Sequence, residues 1–356
     1  MNLKIGIIGM PNAGKSTLFN ALIKKQVAFA ANYPFATIEP NIGIVPVPDH
    51  RLAALADAVE SEKGVRPPTV AASVEFVDIA GLVAGAAEGA GLGNKFLAHI
   101  REVHLVCHVI RFFTDPAVVH VTGTVDPQRD RDTVETELIL ADLETLAKQS
   151  EPKGVRDREQ LRRWELIGNL RESLNSGTPA ARVLETAEDA HLVTDLHLIT
   201  AKPVLYVANV SEEQLEKLSP DIPGNYLPVC AKLESELAGL PAGEQTAYLK
   251  SVGYSLSGLD RLIKRSYEML GLISFLTAGV KEVRAWTVKK GTVARQASGV
   301  IHTDFEKKFI KADVVTFVDF ISHGGWKVVR EAGIVRQEGR DYPVRDGDVI
   351  EFKIGT

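Results

Sequence analysis

Cysteine is nearly missing from this 356-residue chain: there are two, Cys107 and Cys230, both in apolar, strand-like surroundings. Two thiols are too few for a disulfide framework or a thiolate metal site, and their setting suits small buried hydrophobes in a reducing compartment. Aromatic residues make up only 6% of the chain. No apolar run approaches the ~18 residues that a membrane-spanning helix needs. Glycine and proline, at 29 and 17, show neither a collagen-like period nor the excess of a disordered chain. The apolar stretch at Met1 to Gly9 is short for a secretory leader and runs straight into a motif that needs a folded strand before it, so the expected location is cytoplasmic.

What remains is a chain with 45% hydrophobic residues, enough to fill a core. At about 150 residues per domain its length predicts two or three domains. The formal charge of -5 argues against nucleic acid as a partner only until its distribution is considered. Residues 279–356 carry 14 Lys plus Arg against 11 Asp plus Glu, whereas the preceding residues carry 27 against 35. The whole-chain charge therefore decides nothing about RNA.

Residues 9 to 17 read Gly-Met-Pro-Asn-Ala-Gly-Lys-Ser-Thr, a complete G-x-x-x-x-G-K-[ST] phosphate loop between an apolar run (Ile5, Ile7, Ile8) and a helix-like stretch from Leu18. A chance match in a chain of this length has a probability on the order of 1%. Gly9 and Gly14 let the backbone wrap phosphates, the amides of Asn12, Ala13, Gly14, Lys15, Ser16 and Thr17 face the anion, and the helix N-terminus adds its positive dipole end. Lys15 is expected to reach the β and γ phosphates, and the Ser16 hydroxyl to ligate Mg²⁺.

Downstream, the strand-like Val74 to Ile79 ends in Asp78-Ile79-Ala80-Gly81. Behind a phosphate loop, Asp78 can hold the water shell of Mg²⁺ and the Gly81 amide can sense the γ-phosphate. Thr37, in a Pro-bounded loop between the two motifs, is the candidate second protein ligand to Mg²⁺. Leu82 follows Gly81 where Ras-type GTPases carry a water-orienting glutamine; leucine has no polar atom for that task. The Gly/Ala-rich stretch from Val83 to Asn94 reads as a switch loop ordered by the γ-phosphate.

The base-reading motif departs from the guanine pattern Asn-Lys-x-Asp. After the strand-like Pro203 to Ala208 comes Asn209-Val210-Ser211-Glu212: lysine is missing, and the longer Glu212 stands in place of aspartate. Adenine has no N2 amine for such a carboxylate to hold, so ATP is the expected nucleotide. Asn209 and Ser211 could also cap the helix that follows. Cys230-Ala231-Lys232 matches a Ser-Ala-Lys base-side loop with cysteine replacing serine, and Lys232 either lies near the base or is solvated.

Asn32 to Asn41 (NYPFATIEPN), Asp78 to Val83, Gly91 to Leu97, Asn209 to Glu212, Val280 to Thr287 and Gly299 to Lys307 together closely resemble the YchF family, the Obg-like ATPases, over essentially the whole chain. The resemblance implies an α/β P-loop NTPase with a Ras-like G domain, an inserted antiparallel helical hairpin and a C-terminal β-grasp TGS domain. It also implies ATP hydrolysis, association with ribosomes and stress responses, and a histidine replacing the missing glutamine, which the match places on His120. Small departures are Ala13 and Ala36, where other small residues are common, and an arm that looks short. The expected domains are 1–127 and 199–274 for the G domain, 128–198 for the arm and 275–356 for the TGS domain.

The residues agree with such an arm. Val134, Leu138, Ala141 and Thr145 recur at helical spacing, and a second helical pattern through Leu161, Trp164, Gly168 and Leu170 follows the breaker Glu151 to Gly154. Arg156, Arg158, Arg162 and Arg163 could meet ribosomal RNA phosphates or form a solvated helix face. Beyond Phe275 the pattern is strand-rich: Glu282 to Val288, Val314 to Phe320 and Asp346 to Phe352, with one short helix near Asp304 to Phe309. Lys289, Lys290, Arg295, Lys307, Lys308, Lys311 and Trp286 suit RNA or protein contact there, or a balanced surface. Three functions compete: an ATPase, a nucleotide-controlled ribosome-binding module in which hydrolysis is a timer, and a conventional GTPase. A monomer that binds neither DNA nor membrane is expected in each case.

Overall fold

The structure is a computed structural model that describes residues 3–30, 41–79, 92–120, 123–152, 157–216, 222 and 224–355. By contacts the chain divides into two compact units, Met1–Ile44 with Glu75–Leu262, and Val45–Val74 with Ile263–Thr356.

In chain order, β1 (Lys4–Ile8) leads into α1 (Lys15–Ala30), β2 (Ile42–Pro46), α2 (Arg51–Lys63), β3 (Thr69–Val70), β4 (Ser73–Asp78), α3 (Leu92–Glu102) and β5 (Leu105–Arg111). Then follow α4 (Pro127–Ala147), α5 (Arg158–Asn175), α6 (Ala187–Leu192), β6 (Val204–Asn209), α7 (Glu212–Glu216), β7 (Tyr226–Val229), α8 (Ala231–Leu237), α9 (Ala242–Ser251) and α10 (Gly258–Met269).

One sheet has the order β2-β4-β1-β5-β6-β7. The pairs β1/β4, β1/β5, β5/β6 and β6/β7 are parallel. Every residue of β5 is buried and Ile5, Ile7 and Ile8 of β1 are inaccessible, as central parallel strands covered on both faces require. In such a sheet ligands bind beyond the carboxyl ends of the strands. The phosphate loop follows the end of β1, and Asp78 and Asn209 end β4 and β6.

The helical stretch between β5 and β6 belongs to this first unit. Asp126 caps α4 by accepting from the Arg129 amide, with Pro127 as first helical residue, and Asp157 caps α5 through the Glu159 amide. α4 is buried on two faces. Val134, Leu138 and Ala141 pack with Phe96, Ile100 and Val106, whereas Ile139 and Leu146 pack with Leu166, Ile167 and Leu170 of α5. Where the stretch rejoins the sheet, buried Asp142 accepts from the amides of Ile199 and Thr200, both at 2.8 Å, and from the Thr200 hydroxyl at 2.7 Å. The Lys202 ammonium donates to the Ile100, Arg101 and Val103 carbonyls at the end of α3, each at 2.6 Å.

The basic cluster of α5 is largely neutralised within the same unit. Arg162 pairs with Glu188 at 2.6 Å and Asp189 at 2.8 Å, and Arg163 pairs with Asp195 at 2.6 Å. Arg156 lies outside the described residues.

The second unit carries β8 (Leu272–Ala278), β9 (Val283–Lys289), α11 (Ala294–Ile301), α12 (Thr303–Lys307), β10 (Phe309–Thr316), α13 (Phe317–His323), α14 (Trp326–Glu331), β11 (Arg336–Glu338) and β12 (Asp348–Ile354). Its sheet order is β11-β10-β12-β8-β9-β3. β12 lies parallel to β8 and antiparallel to β10, and Phe275, Val314 and Ile350 meet in its core.

Two expectations change here. Val45–Val74 was expected within the first part of the G domain, but it packs with the second unit, which also starts before residue 275: β3 pairs in parallel with β9, and α2 lies against β8, β9 and α13. The reason is hydrophobic: Leu52, Leu55, Ala56 and Val59 form a buried face on α2. The strand expected from Val314 to Phe320 stops at Thr316, whose hydroxyl accepts from the Asp319 amide and starts α13; four short helices stand in the described residues of this unit beyond β9, where one was expected.

Both cysteines are free and buried. Among the described residues no helix is long and apolar enough to cross a membrane.

His108, within β5, supplies a measurable pH dependence. Burial, followed by the Arg131 and Lys15 charges, pushes it down to about 3 from its ordinary 6.5. Between those values the unfolded chain binds a proton that the folded chain refuses, so stability is full above about pH 6.5 and falls as pH drops towards 3. The slope from this group approaches about 1.4 kcal/mol per pH unit. Urea unfolding at pH 7 and pH 5 is expected to show a smaller loss for His108→Asn than for the wild-type chain; equal losses would assign the acid sensitivity elsewhere.

Candidate nucleotide-binding site

The loop after β1 is shaped by the absence of side chains. Gly9 has φ 147, and a Cβ there would lie 2.2 Å from the Val109 carbonyl oxygen of β5. Gly14 has φ 94, and a Cβ there would lie 2.1 Å from the Asn209 side-chain nitrogen. Asn12 takes a left-handed conformation at φ 60 without being glycine. Ala13 is buried, and the Leu18 amide donates to the Gly14 carbonyl to start α1. Ser16 and Thr17 are exposed in the first turn of that helix, where the amides have no intrahelical partner.

Lys15 is only 8% exposed, and its ammonium donates to the Met10 carbonyl at 2.9 Å. Burial pushes the lysine down, while the charge of Asp78 acts in the opposite sense. Asp78 mirrors this: burial pushes its carboxyl up and Lys15 opposes the shift. The two charges sense each other, yet the Asp78 carboxylate makes no hydrogen bond or ion pair with another described residue. A phosphate on Lys15 and a hydrated cation beside Asp78 would relieve both desolvation costs.

The base-side residues converge on Asn209. Its Nδ2 donates to the Ala13 carbonyl at 2.9 Å and its Oδ1 accepts from the Ala231 amide at 3.1 Å. Asn209 thus braces the phosphate loop against the loop after β7 and does not cap α7. Ser211 does cap it: its hydroxyl accepts from the Gln214 amide at 3.2 Å, and the Gln214 side chain accepts from the Ser211 amide at 2.9 Å. Val210 and Cys230 are buried in one apolar cluster, Glu212 is half-buried at the start of α7, and Lys232 is exposed on α8.

Three sets of interactions escaped the sequence reading. Arg111, buried at the end of β5, donates to the Phe113 carbonyl at 3.1 Å and the Val118 carbonyl at 3.0 Å. Asn12 Nδ2 donates to the Val119 carbonyl at 3.0 Å, which brings the segment before His120 onto the phosphate loop. His120 itself is buried, with Nε2 2.8 Å from Asp130 Oδ2. The only sequence signal for Arg111 is a charge ending an otherwise apolar run; Asp130 had none. Thr37, Gly81 and Leu82 lie outside the described residues.

A glycine-walled phosphate loop between the central strand and a helix, with an aspartate at the end of the adjacent strand, defines a P-loop nucleotide hydrolase of the GTPase fold, a class that works with a divalent cation. A family model described as 50S ribosome-binding GTPase matches residues 4–141. The YchF-GTPase_C model, described as a protein of unknown function, matches residues 272–355. The chain is 48% identical to the ribosome-binding ATPase YchF of Bacillus subtilis and 46% identical to that of Haemophilus influenzae, over 100% of each chain. The structure of the Schizosaccharomyces pombe YchF GTPase superimposes with a TM-score of 0.86 at 35% identity, covering 99% of this chain and 98% of that one. The chain belongs to the YchF family.

Gly14→Ala tests the geometry of the loop. Left-handed backbone costs a non-glycine residue about 1–2 kcal/mol, before the clash with Asn209, so nucleotide affinity is expected to fall by about tenfold or more. Titration with a fluorescent nucleotide, with circular dichroism as the control for folding, measures this; unchanged affinity would show that the loop relaxes freely.

Proposed function

We propose that this chain is a Mg²⁺-dependent ATPase whose nucleotide state controls its binding to the ribosome. The observation that carries the reading is the buried Lys15 facing an otherwise uncommitted Asp78 at a phosphate loop whose base side lacks the guanine-binding lysine. Val210, which takes that lysine's place, is buried among apolar residues and offers the base no charged stem. Glu212 replaces the shorter guanine-binding aspartate. The relatives named above as ribosome-binding ATPases support both the nucleotide and the partner.

Among the described residues no group of three His, Cys, Asp or Glu could hold a metal ion. A cation here would rest on the exposed Ser16 hydroxyl, on Thr37, on phosphate oxygens and on waters beside Asp78. That hard, all-oxygen donor set suits Mg²⁺. When bound, the ion would offset charge on the β and γ phosphates. Lys15 and the amides from Asn12 to Thr17 bind and orient the phosphates and stabilise the charge that develops on them. His120 positions the attacking water, the task for which Leu82 has no polar atom.

In the same reading α4 and α5, which share one apolar core, form the helical hairpin, and the second unit is the β-grasp TGS domain. RNA contact falls to that second unit, where Lys289, Lys290, Arg295, Lys307 and Lys308 are exposed, more than to α5, whose Arg162 and Arg163 are paired with carboxylates.

Equilibrium titration with labelled ATP and GTP is expected to show tighter ATP binding; a clear preference for GTP would reject the base assignment. His120→Ala is expected to lower kcat by about 100-fold with nucleotide affinity nearly unchanged. Full turnover in that variant would remove His120 from the mechanism. Ribosome co-sedimentation is expected to differ between ATP, ADP and a non-hydrolysable analogue; equal binding in every state would leave no nucleotide control.

A further inference from the structure

Glu234, in the first turn of α8, is only 3% exposed. One of its carboxylate oxygens accepts from the Gly258 amide at 2.6 Å and the other from the Leu259 amide at 3.1 Å, the first two amides of α10. Burying a carboxylate is costly unless its oxygens are bonded, and the orphan amides of a helix start supply those bonds. Starting α10 does not by itself require Glu234, because that helix has a local cap: the Ser257 hydroxyl accepts from the Asp260 amide at 3.0 Å. What Glu234 adds lies on its own side. Its amide donates to the Cys230 carbonyl at 3.0 Å, and the neighbouring Ala231 amide donates to Asn209 at 3.1 Å.

We propose that Glu234 is a positioning residue for nucleotide binding: by clamping the start of α8 to the start of α10, it fixes where Cys230, Ala231 and Lys232 stand relative to the phosphate loop. The same two helices are tied to α1. Lys24 donates to the Ser235 carbonyl at 2.9 Å, and Lys25 pairs with Asp260. Because α1 begins at the phosphate loop, α8 and α10 are registered against it together, and the carboxylate between them sets the distance from the phosphate side to the base side. Glu234 itself touches no nucleotide. The proposal rests on the base-side role given above to the loop after β7. Gly258 shows how closely the clamp is built: a Cβ there would lie 2.7 Å from a Glu234 carboxylate oxygen and 3.1 Å from a Val229 methyl.

Glu234→Gln keeps size and shape but turns one of the two acceptors into a donor that faces an amide. Its KM for ATP is expected to rise about fivefold to tenfold, with kcat within about twofold of wild type. Affinity for tripolyphosphate, which has no base and is read by competition with labelled ATP, should also stay within about twofold, a split that a loosened domain would not give. Gly258→Ala keeps every polar group and displaces the same carboxylate, so it should reproduce the split and reads the proposal even if Glu234→Gln does not fold. The double variant should lose no more than the worse single one. Losses that multiply, an equal loss of tripolyphosphate affinity, a fall confined to kcat, or an unchanged KM would each overturn the proposal. If 8-azido-ATP photolabels the wild-type chain away from residues 209–212 and 230–232, the base-side reading fails and takes this one with it. If it labels them and the variants bind ATP as the wild type does, this proposal alone fails.

Discussion

The side-chain amide of Asn209 bridges two loops of the protein, its nitrogen donating to the Ala13 carbonyl and its oxygen accepting from the Ala231 amide. Those two bonds join the loop after β1 to the loop after β7 through the end of β6, and they explain features on each side. Gly14 must be glycine because the amide stands where its Cβ would be. The end of β6 must be buried and exactly in register with β7, as it is through the Asn209 and Val229 pairing, for the oxygen to reach the Ala231 amide. Asn209, which the sequence offers as a base reader, is also a brace between the two loops.

Lys15 and Asp78 show the complementary strategy, burial without full commitment. Each is displaced towards its neutral form by desolvation and returned partly by the other's charge. Groups arranged in this way gain more from an incoming polyanion and its counter-ion than exposed charges would, because the cost of stripping their water has already been met in folding. The segment from Arg111 to His120 follows the same logic in backbone form: a buried guanidinium and the loop's own Asn12 fix the carbonyls ahead of the histidine.

The phosphate loop was legible in the sequence because its chemistry is contiguous: strand, glycines, lysine and helix lie within a few turns of chain. The helical stretch was legible through its spacing, though the spacing could not show that Val134 and Ile139 serve different cores. What stayed hidden depends on distant partners. The charges of Arg162 and Arg163 look free until Glu188, Asp189 and Asp195 fold back on them. Phe317 to Phe320 carries β-forming residues, and only the Thr316 hydroxyl meeting the Asp319 amide turns it into a helix. Asp130 is one acidic residue among several in its stretch until the fold buries it against His120.

The excursion of Val45–Val74 into the second unit changes what a gene fragment can encode. The sheet β11-β10-β12-β8-β9-β3 takes its last strand from a stretch roughly two hundred residues upstream of the rest, bracketed on both sides by nucleotide-site sequence. A contiguous cassette cut near residue 272 would carry β8 to β12 but leave β9 with an unpaired edge and would leave α2 behind with its apolar face uncovered. Neither unit is a portable module in the one-dimensional sense. Recombination, truncation and fusion can separate them cleanly only by moving the short upstream stretch together with the tail.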